Sequence, residues 1–498
     1  MTDRDDQLPT GAFYLSLGQG AFLLIGYILT AFLARWLTPS LYGIFGVAMA
    51  VLGWAEITVN NGIPSALQKF LPDPSLSERS IRRAAARCQI IISGGVFLAL
   101  FLAAPWLAAL LRDPELTGYL RLAFLDILAM GAYGYYRGVL NGWRVFRQLA
   151  LTITAYSLTK LVVICLLVYQ GLGVQGALIG NVVSSLGGLA IGFYWTRRRT
   201  VRSGAVGSRD NASVSSEVGR TMGERQILAF VLPSVLFTLA SNVLLGLDLM
   251  GVKALVADPD LVGYYTAAVN LANAPRLVLL AFSFALLPSL SQAIATHDQI
   301  QARHYLQQTI RLLALVLLPV LALVAATAES LVVVVFSASY RPAAPILTVL
   351  IFGYAAYTVY ITLVTTLLAE NRPGRALAIP VTMLPVAAGL IWVGVTWLGA
   401  LGAAFASLFS VASVMVVVIG YIFRRFRPTV DGRSLARIVL ASAVVGGLAW
   451  LWAPSGLMLI VSYGSLGGLY LILLLALGEV KFQDISQTKR RLLHRRGD

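Results

Sequence analysis

Charge is scarce in this chain, and so are cysteine and histidine. Asp, Glu, Lys and Arg make up 12% of the 498 residues, with two cysteines and three histidines. A soluble domain carries about 25% charged residues. With 58% of residues hydrophobic and a mean hydropathy of +0.80, an ordinary soluble enzyme is excluded. Cys88 and Cys165 stand far apart, in or beside apolar stretches, so the pattern offers neither a disulfide framework nor a cysteine metal site; each reads as a small buried hydrophobe. There is no Walker-type glycine-rich motif, which argues against an attached ATPase. The acids are too scattered to propose a catalytic pair, and no long outer loop is available to hold an acceptor for sugar transfer. The spacing therefore supports neither an enzyme nor a metal site. Ahead of the first apolar segment, Met1 to Asp6 lacks the cationic region of a cleaved signal, and that segment is expected to remain as a spanning helix.

What the chain has instead is apolar runs. From Gly11 to Leu477 about fourteen segments are each long enough to cross a hydrocarbon layer of about 30 Å. Lys and Arg fall unevenly between them. If the N-terminus is inside, 31 of the 38 basic residues lie in inner loops or tails, five lie outside (Arg35, Arg112, Arg121, Lys253 and Arg341), and Lys160 and Arg276 sit within segments. This is the positive-inside signature, and it places both termini in the cytoplasm. The net charge of +16 is spread over alternate short loops, so its expected partners are anionic membrane lipids and not nucleic acid. The same holds for the basic tail "KRRLLHRR".

The expected fold is an all-α polytopic membrane protein with two parallel-oriented six-helix lobes, 11–196 and 227–426, plus two further helices within 434–477. A Ser-, Gly- and Arg-rich linker, 197–226, joins the lobes, and 478–498 forms a basic tail. The lobes carry traces of duplication. "LTPSLYGIF" at Leu37 to Phe45 matches "ADPDLVGYY" at Ala257 to Tyr265, with Gly43 on Gly263. "PSAL" at Pro64 matches "PSLS" at Pro288, and "LGVQGA" at Leu172 matches "LGALGA" at Leu398. Their shared order argues for an internal repeat. Six spans per repeat keep the two copies in the same orientation, related by an axis along the membrane normal.

On these stretches the chain resembles the polysaccharide transporter, or oligosaccharide flippase, branch of the multidrug/oligosaccharidyl-lipid/polysaccharide (MOP) exporter superfamily. The resemblance rests on "LARWLTPSLYGIFGVAMAVLGWAEITVNNGIPSAL", on "ADPDLVGYYTAAVNLANAP" followed by "LLPSLSQ", and on "FSASYRPAAPILTVL" followed by "LLAENRPGRALA". Where the family pattern often has Asp, this chain has Glu56. The resemblance implies a V-shaped pair of lobes in a bacterial or archaeal plasma membrane. It implies transport of polyprenyl-pyrophosphate-linked oligosaccharide from the inner to the outer leaflet, alongside other membrane proteins of polysaccharide assembly. A cation-coupled multidrug exporter and a peptidoglycan-precursor flippase of the same fold remain the alternatives.

Ionisable groups inside spans are costly unless paired or hydrated, so each is a candidate site residue. They are Glu56, Asp126, Lys160, Asp248, Arg276 and Glu329. Thr266, Asn270, Asn273, Arg276 and Ser283 share one side of the eighth segment at helical spacing. Asp126, Tyr133 and Arg137 align on the fourth, Thr152, Tyr156, Thr159 and Lys160 on the fifth, and Ser234, Thr238, Ser241 and Asp248 on the seventh. Polar stripes of this kind need a wet cavity or partners.

The functional reading gives the pyrophosphate to Arg276 and Lys160, with Asn270, Asn273 and, at the cytoplasmic mouth, Arg137 beside them. A guanidinium offers a planar fork of donors and an ammonium a movable point charge. The alternative is that these cations neutralise nearby carboxylates and hold the bundle together. Asp248 is the first choice for coupling or gating, with Glu56 and Asp126 behind it. In the repeat Glu56 falls on Arg276, which suggests either a latch between the lobes or a substrate cation beside a coupling carboxylate. Glu329 is expected to be solvated, and Tyr354, Tyr357 and Tyr360 to pack within the bundle in preference to stacking on sugars. No cofactor is implied. An inside-negative potential opposes outward movement of an anionic head, and co-movement of H+ or Na+ is one way to compensate.

Overall fold

A computed structural model describes residues 7–207, 221–295, 298–370, 372–429, 431–456 and 458–479. The centre of the expected linker, 208–220, and the tail beyond 479 lie outside the described residues. Among those described, every regular element is helical. In chain order they are α1 (Gln7–Trp36), α2 (Pro39–Asn61), α3 (Ile63–Phe70), α4 (Glu78–Leu110), α5 (Leu116–Gly142), α6 (Phe146–Leu167) and α7 (Gly173–Gly207). Then follow α8 (Glu224–Leu255), α9 (Pro259–Ala295), α10 (Gln299–Ala326), α11 (Ala328–Val335), α12 (Ala343–Ala369), α13 (Pro373–Phe426), α14 (Gly432–Trp452) and α15 (Met458–Ala476).

Ten stretches among the described residues are long and apolar enough to cross a membrane. Two of them, Phe146–Thr200 and Gly374–Phe426, run for 55 and 53 residues. A straight helix of that length would reach about 80 Å, far beyond one bilayer. Each is broken by glycine in the same backbone conformation, Gly173 at φ 51°, ψ −132° and Gly399 at φ 60°, ψ −139°. These are the matching glycines of "LGVQGA" and "LGALGA". Only glycine takes this conformation without strain. A π-helical turn, Val168–Leu172, precedes the first break. Beyond the second, the chain folds back so tightly that a Cβ on Gly402 would stand 1.8 Å from the Gly394 carbonyl oxygen.

Exposed aromatics mark the membrane. Trp36, Trp106, Tyr169, Trp397 and Trp450 are all exposed, and each lies at the end of its helix away from the basic loops, where an aromatic belt meets the lipid–water interface. The protein is a multi-pass membrane protein. Two details depart from the expected segments. The ninth segment, expected as one run from Thr309 to Phe336, ends at Thr327, whose hydroxyl bonds the Leu323 carbonyl at 2.8 Å and pairs with the Tyr463 hydroxyl at 2.8 Å; α11 restarts after it. The loop expected after α2 folds into the short α3. Just beyond α3, Ser75 donates its backbone N–H and hydroxyl to Asp73 Oδ1 at 2.9 and 2.7 Å, which holds that exposed carboxyl below its usual range.

The chain divides into two compact units, Met1–Thr266 with Pro373–Ala388, and Ala267–Arg372 with Gly389–Asp498. In the first, α5 packs against α2, α3, α4 and α7, and α8 lies on α2 and α4. The starts of α2 and α9 meet glycine to glycine: a Cβ on Gly263 would be 1.9 Å from the Pro39 carbonyl oxygen, and one on Gly43 would be 2.7 Å from the Gly263 nitrogen. In the second unit, α10 packs on α12 and α14, and α14 on α15. Arg311 Nε reaches Glu479 Oε1 at 2.7 Å, its Nη2 reaches the Glu479 carbonyl at 2.6 Å, and Ser434 donates to the same carboxylate.

Candidate functional site

In the first unit, charged and hydroxyl side chains from four helices converge. Glu56 is carried on α2, which is pinned on both sides of it. Trp54 Nε1 donates to the Asn242 carbonyl of α8 at 3.2 Å, and Gln89 Nε2 of α4 donates to the Val59 carbonyl at 3.1 Å. Asp126, Tyr133 and Arg137 come from α5, Tyr156 and Lys160 from α6, and Asn181 and Ser185 from α7. Small residues let these helices close: a Cβ on Gly188 would lie 2.9 Å from the Tyr133 ring, and one on Gly131 2.2 Å from Ser93 Oγ.

Asp126 is fully buried at 0% exposure, and Asn181 Nδ2 donates to its Oδ2 at 2.8 Å. The Glu56 carboxyl lies in electrostatic reach of Asp126, Lys160 and Arg137. Two carboxylates at that range repel each other unless a proton or cation is shared between them. Lys160 Nζ stands 5.8 Å from the Tyr156 ring centroid and Arg137 Cζ 5.3 Å from that of Tyr133, and the two tyrosines stack at 5.1 Å. Among the described residues neither cation has a carboxylate within 4.0 Å. Asp126 Oδ1, Asn181 Oδ1 and the Tyr133 hydroxyl are buried without a hydrogen bond of sound geometry.

In the second unit, Arg276 Nε donates to Asn273 Oδ1 at 2.6 Å, and its guanidinium carbon lies 5.7 Å from the Tyr357 ring centroid. Among the described residues Arg276 has no carboxylate partner within 4.0 Å. A cation held by an amide and an aromatic face keeps its remaining donors for an anion. Ala272, Pro275, Ile351 and Tyr354 line a crevice beside it. Asn270 lies one turn away on the same helix; the side chain of Ser283 lies outside the described residues.

The other intramembrane acids are differently placed. Asp248 is 1% exposed; it accepts from the Tyr265 hydroxyl at 2.8 Å and from the Leu249 N–H at 2.8 Å, which makes it a strut between α8 and α9. Glu329 pairs with Arg341 at 2.8 Å on the surface. Tyr354, Tyr357 and Tyr360 are all buried. Asn181 and Ser185 went unremarked in the sequence, although Asn181, Ser184 and Ser185 at i, i+3 and i+4 form the one polar stripe of an otherwise apolar segment.

A family model described as polysaccharide biosynthesis protein matches residues 8–294, more than half of the chain. The chain belongs to the polysaccharide biosynthesis protein family. No curated protein matches this family member in sequence. Solved structures do match its fold. One is the lipid II flippase MurJ in an inward closed conformation, 14% identical, with 92% of this chain and 97% of that chain covered at a TM-score of 0.70. Another is an inward-facing multidrug resistance MATE family transporter of the MOP superfamily, 14% identical, with 84% and 98% covered at 0.66. A third is a MOP superfamily transporter from Pyrococcus furiosus, 14% identical, with 84% and 95% covered at 0.59. At such identities the likeness is one of fold. The fold is the one these membrane transporters and this flippase share.

Proposed function

We propose that this family member is a flippase that moves a polyprenyl-pyrophosphate-linked oligosaccharide from the cytoplasmic to the outer leaflet by alternating access, for cell-surface polysaccharide assembly. In this reading the chain crosses a bacterial or archaeal plasma membrane fourteen times, with both termini in the cytoplasm and the linker and tail as basic cytoplasmic segments. Both long spans count as two crossings folded at Gly173 and Gly399, and the inner loops carry most of the Arg and Lys. The observation that carries the reading is Arg276. A guanidinium at mid-span, backed by Asn273 and Tyr357 and without a carboxylate among the described residues, fits a pyrophosphate better than it fits a structural ion pair. Asn270 on the same helix extends the polar face.

Coupling is assigned to the Glu56–Asp126 pair with Lys160 and Arg137 beside it. A proton or Na+ bound between the two carboxyls would change the charge balance of a buried site and so bias which state is stable. Asp248, tied to Tyr265, takes a gating or structural part.

The test is leaflet-resolved. Lipid-linked oligosaccharides are extracted from cells with and without the protein after labelling the sugars reachable from outside. Stranding of a polyprenyl-linked glycan on the inner face supports the flippase and names the sugar. A second reading, a cation-coupled exporter, is favoured by the carboxyl pair; unchanged sidedness together with accumulation of toxic cations would select it.

A further inference from the structure

Three arginines of the first unit stand against aromatic rings at the end that carries the basic loops. Arg82 of α4 and Arg199 of α7 share one ring, that of Trp143 at the close of α5, with Cζ atoms 5.1 and 5.2 Å from its centroid. Arg198 Cζ lies 5.9 Å from the Tyr194 centroid, and its Nη1 donates to the Tyr194 hydroxyl at 3.1 Å. Tyr194 meets Trp195 edge-on at 5.3 Å. Trp195 and Trp143 both pack on the cluster of Leu140, Leu149 and Ile153, so these groups form one band across α4, α5 and α7. The backbone beneath it is tied too: the Tyr135 hydroxyl donates to the Arg82 carbonyl at 3.2 Å.

The band is short of acid. The first two turns of α4 and the Arg197–Arg199 turn of α7 hold six arginines and one carboxylate, Glu78. That carboxylate accepts the Trp143 indole N–H at 3.1 Å and meets Arg82 only at 3.5 Å, with its own side chain 52% exposed, which makes the ion pair a weak one. A cation–π contact uses the charge of a guanidinium and leaves in-plane donors able to grip a phosphate. About two turns further along the same helices, Phe193 on α7 and Ile90 and Ile91 on α4 are exposed and apolar. A cationic band bordered by Trp and Tyr, at the edge of a surface that faces hydrocarbon, is the setting of a lipid headgroup whose chains lie along that surface. A soluble anion would make no use of those apolar faces.

We propose that the Arg82–Trp143–Arg199 cluster, with Arg198 on Tyr194 beside it, is a headgroup site for a resident anionic phospholipid. In the orientation proposed above the lipid belongs to the inner leaflet; the site itself does not depend on what the chain transports. Its phosphodiester lies among the three guanidiniums, and the lipid ties the extension of α7 to the α4–α5 corner.

The experiment takes the full chain from nanodiscs holding equal amounts of phosphatidylglycerol and phosphatidylcholine with the same acyl chains, and reads the retained lipid by native mass spectrometry. The wild type is expected to retain phosphatidylglycerol in preference. Arg82→Gln with Arg199→Gln is expected to lower that retention at least about tenfold, the scale set by two basic residues at a charged surface, and to leave phosphatidylcholine unchanged. Arg372→Gln with Arg375→Gln takes the same charge from another basic loop and is expected to stay near the wild-type level. Glu78→Gln keeps an acceptor for the Trp143 N–H while removing the acid, and is expected to raise retention, a sign that a misfolded chain would not produce. If the Arg372 and Arg375 variant loses as much lipid as the Arg82 and Arg199 variant, or Glu78→Gln raises nothing, the arginines only orient the chain and the proposal is overturned. Displacement of phosphatidylglycerol by inorganic phosphate overturns it in favour of a free anion. Displacement by geranylgeranyl pyrophosphate well below equimolar amounts overturns it in favour of the transported lipid. None of these outcomes removes the flippase reading, which places the pyrophosphate at Arg276.

Discussion

Asn181 on α7 donates to Asp126 on α5 across 2.8 Å, at a depth where both residues are at most 1% exposed. The bond fixes which oxygen of Asp126 is satisfied, Oδ2, and so the orientation of its carboxyl.

Replacing Asn181 by Leu removes that donor without removing a charge. A buried acceptor stripped of its partner costs about 1–3 kcal/mol, and ion-dependent transport in proteoliposomes is expected to fall well beyond the accompanying loss of thermal stability. Wild-type ion dependence in Asn181→Leu would mean that the orientation of Asp126 plays no part.

Gly263→Ala is expected to be disruptive, because its Cβ would lie 1.9 Å from a backbone oxygen of Pro39 and backbone has nowhere to move. Overpacking of this kind costs about 1–3 kcal/mol or more. Gly53→Ala on α2, with nothing within 4 Å of the new methyl, is the control and is expected to gain about 0.5–1 kcal/mol from helix propensity. Thermal unfolding of the two variants checks both signs.

Lys253 and Asp113 meet at 2.6 Å with side chains 10% and 19% exposed, tying α8 to the α4–α5 turn. A double-mutant cycle with Lys253→Met and Asp113→Asn is expected to give a coupling of about 1–3 kcal/mol, above that of an exposed surface pair. A coupling near zero would assign the link between these elements to packing alone.

Among the described residues four helices or arms end in non-glycine residues held at positive φ: Arg112, Arg144, Arg427 and Ala453, at 53°, 56°, 47° and 44°. Ala453 caps α14, and its N–H bonds the Ala449 carbonyl at 3.1 Å. Left-handed caps favour glycine. Ala453→Gly is therefore expected to raise the melting temperature slightly, whereas Ala453→Val, with a branched side chain at the same φ, is expected to lower it.

Much of this architecture was legible in the chain, and the reasons are physical. Bilayer thickness sets helix length, loop charge sets alternation, and glycine is demanded where the backbone turns back, so Gly173 and Gly399 stood out as matching motif positions. Glu56, Asp126 and Lys160 were each visible as costly intramembrane charges, and Arg137 as a cation at the cytoplasmic mouth. Their meeting was not, because helical spacing gives the face of one segment but not the neighbour it faces. Asp248 shows the same gap: more than three polar turns called for a wet cavity or for partners, and helical spacing did not name Tyr265, seventeen residues on in another helix, as one of them. Asn181 was concealed by the small residues around it. The break at Thr327 has no glycine or proline at the position and depends on a hydroxyl of α15, Tyr463, 136 residues away.

The Glu479 carboxylate, 3% exposed and shared by Arg311, Ser434 and Arg437, fastens the end of α15 to both α10 and α14. Thr327 and Tyr463 fasten the opposite end of α15 to α10, and the Tyr470 hydroxyl donates to the Leu315 carbonyl between them at 2.9 Å. Three rivets along one seam make the C-terminal pair travel with α10 as ballast. A spin label or fluorophore on the exposed face of α15 would thus act as a pointer for α10, recording its tilt.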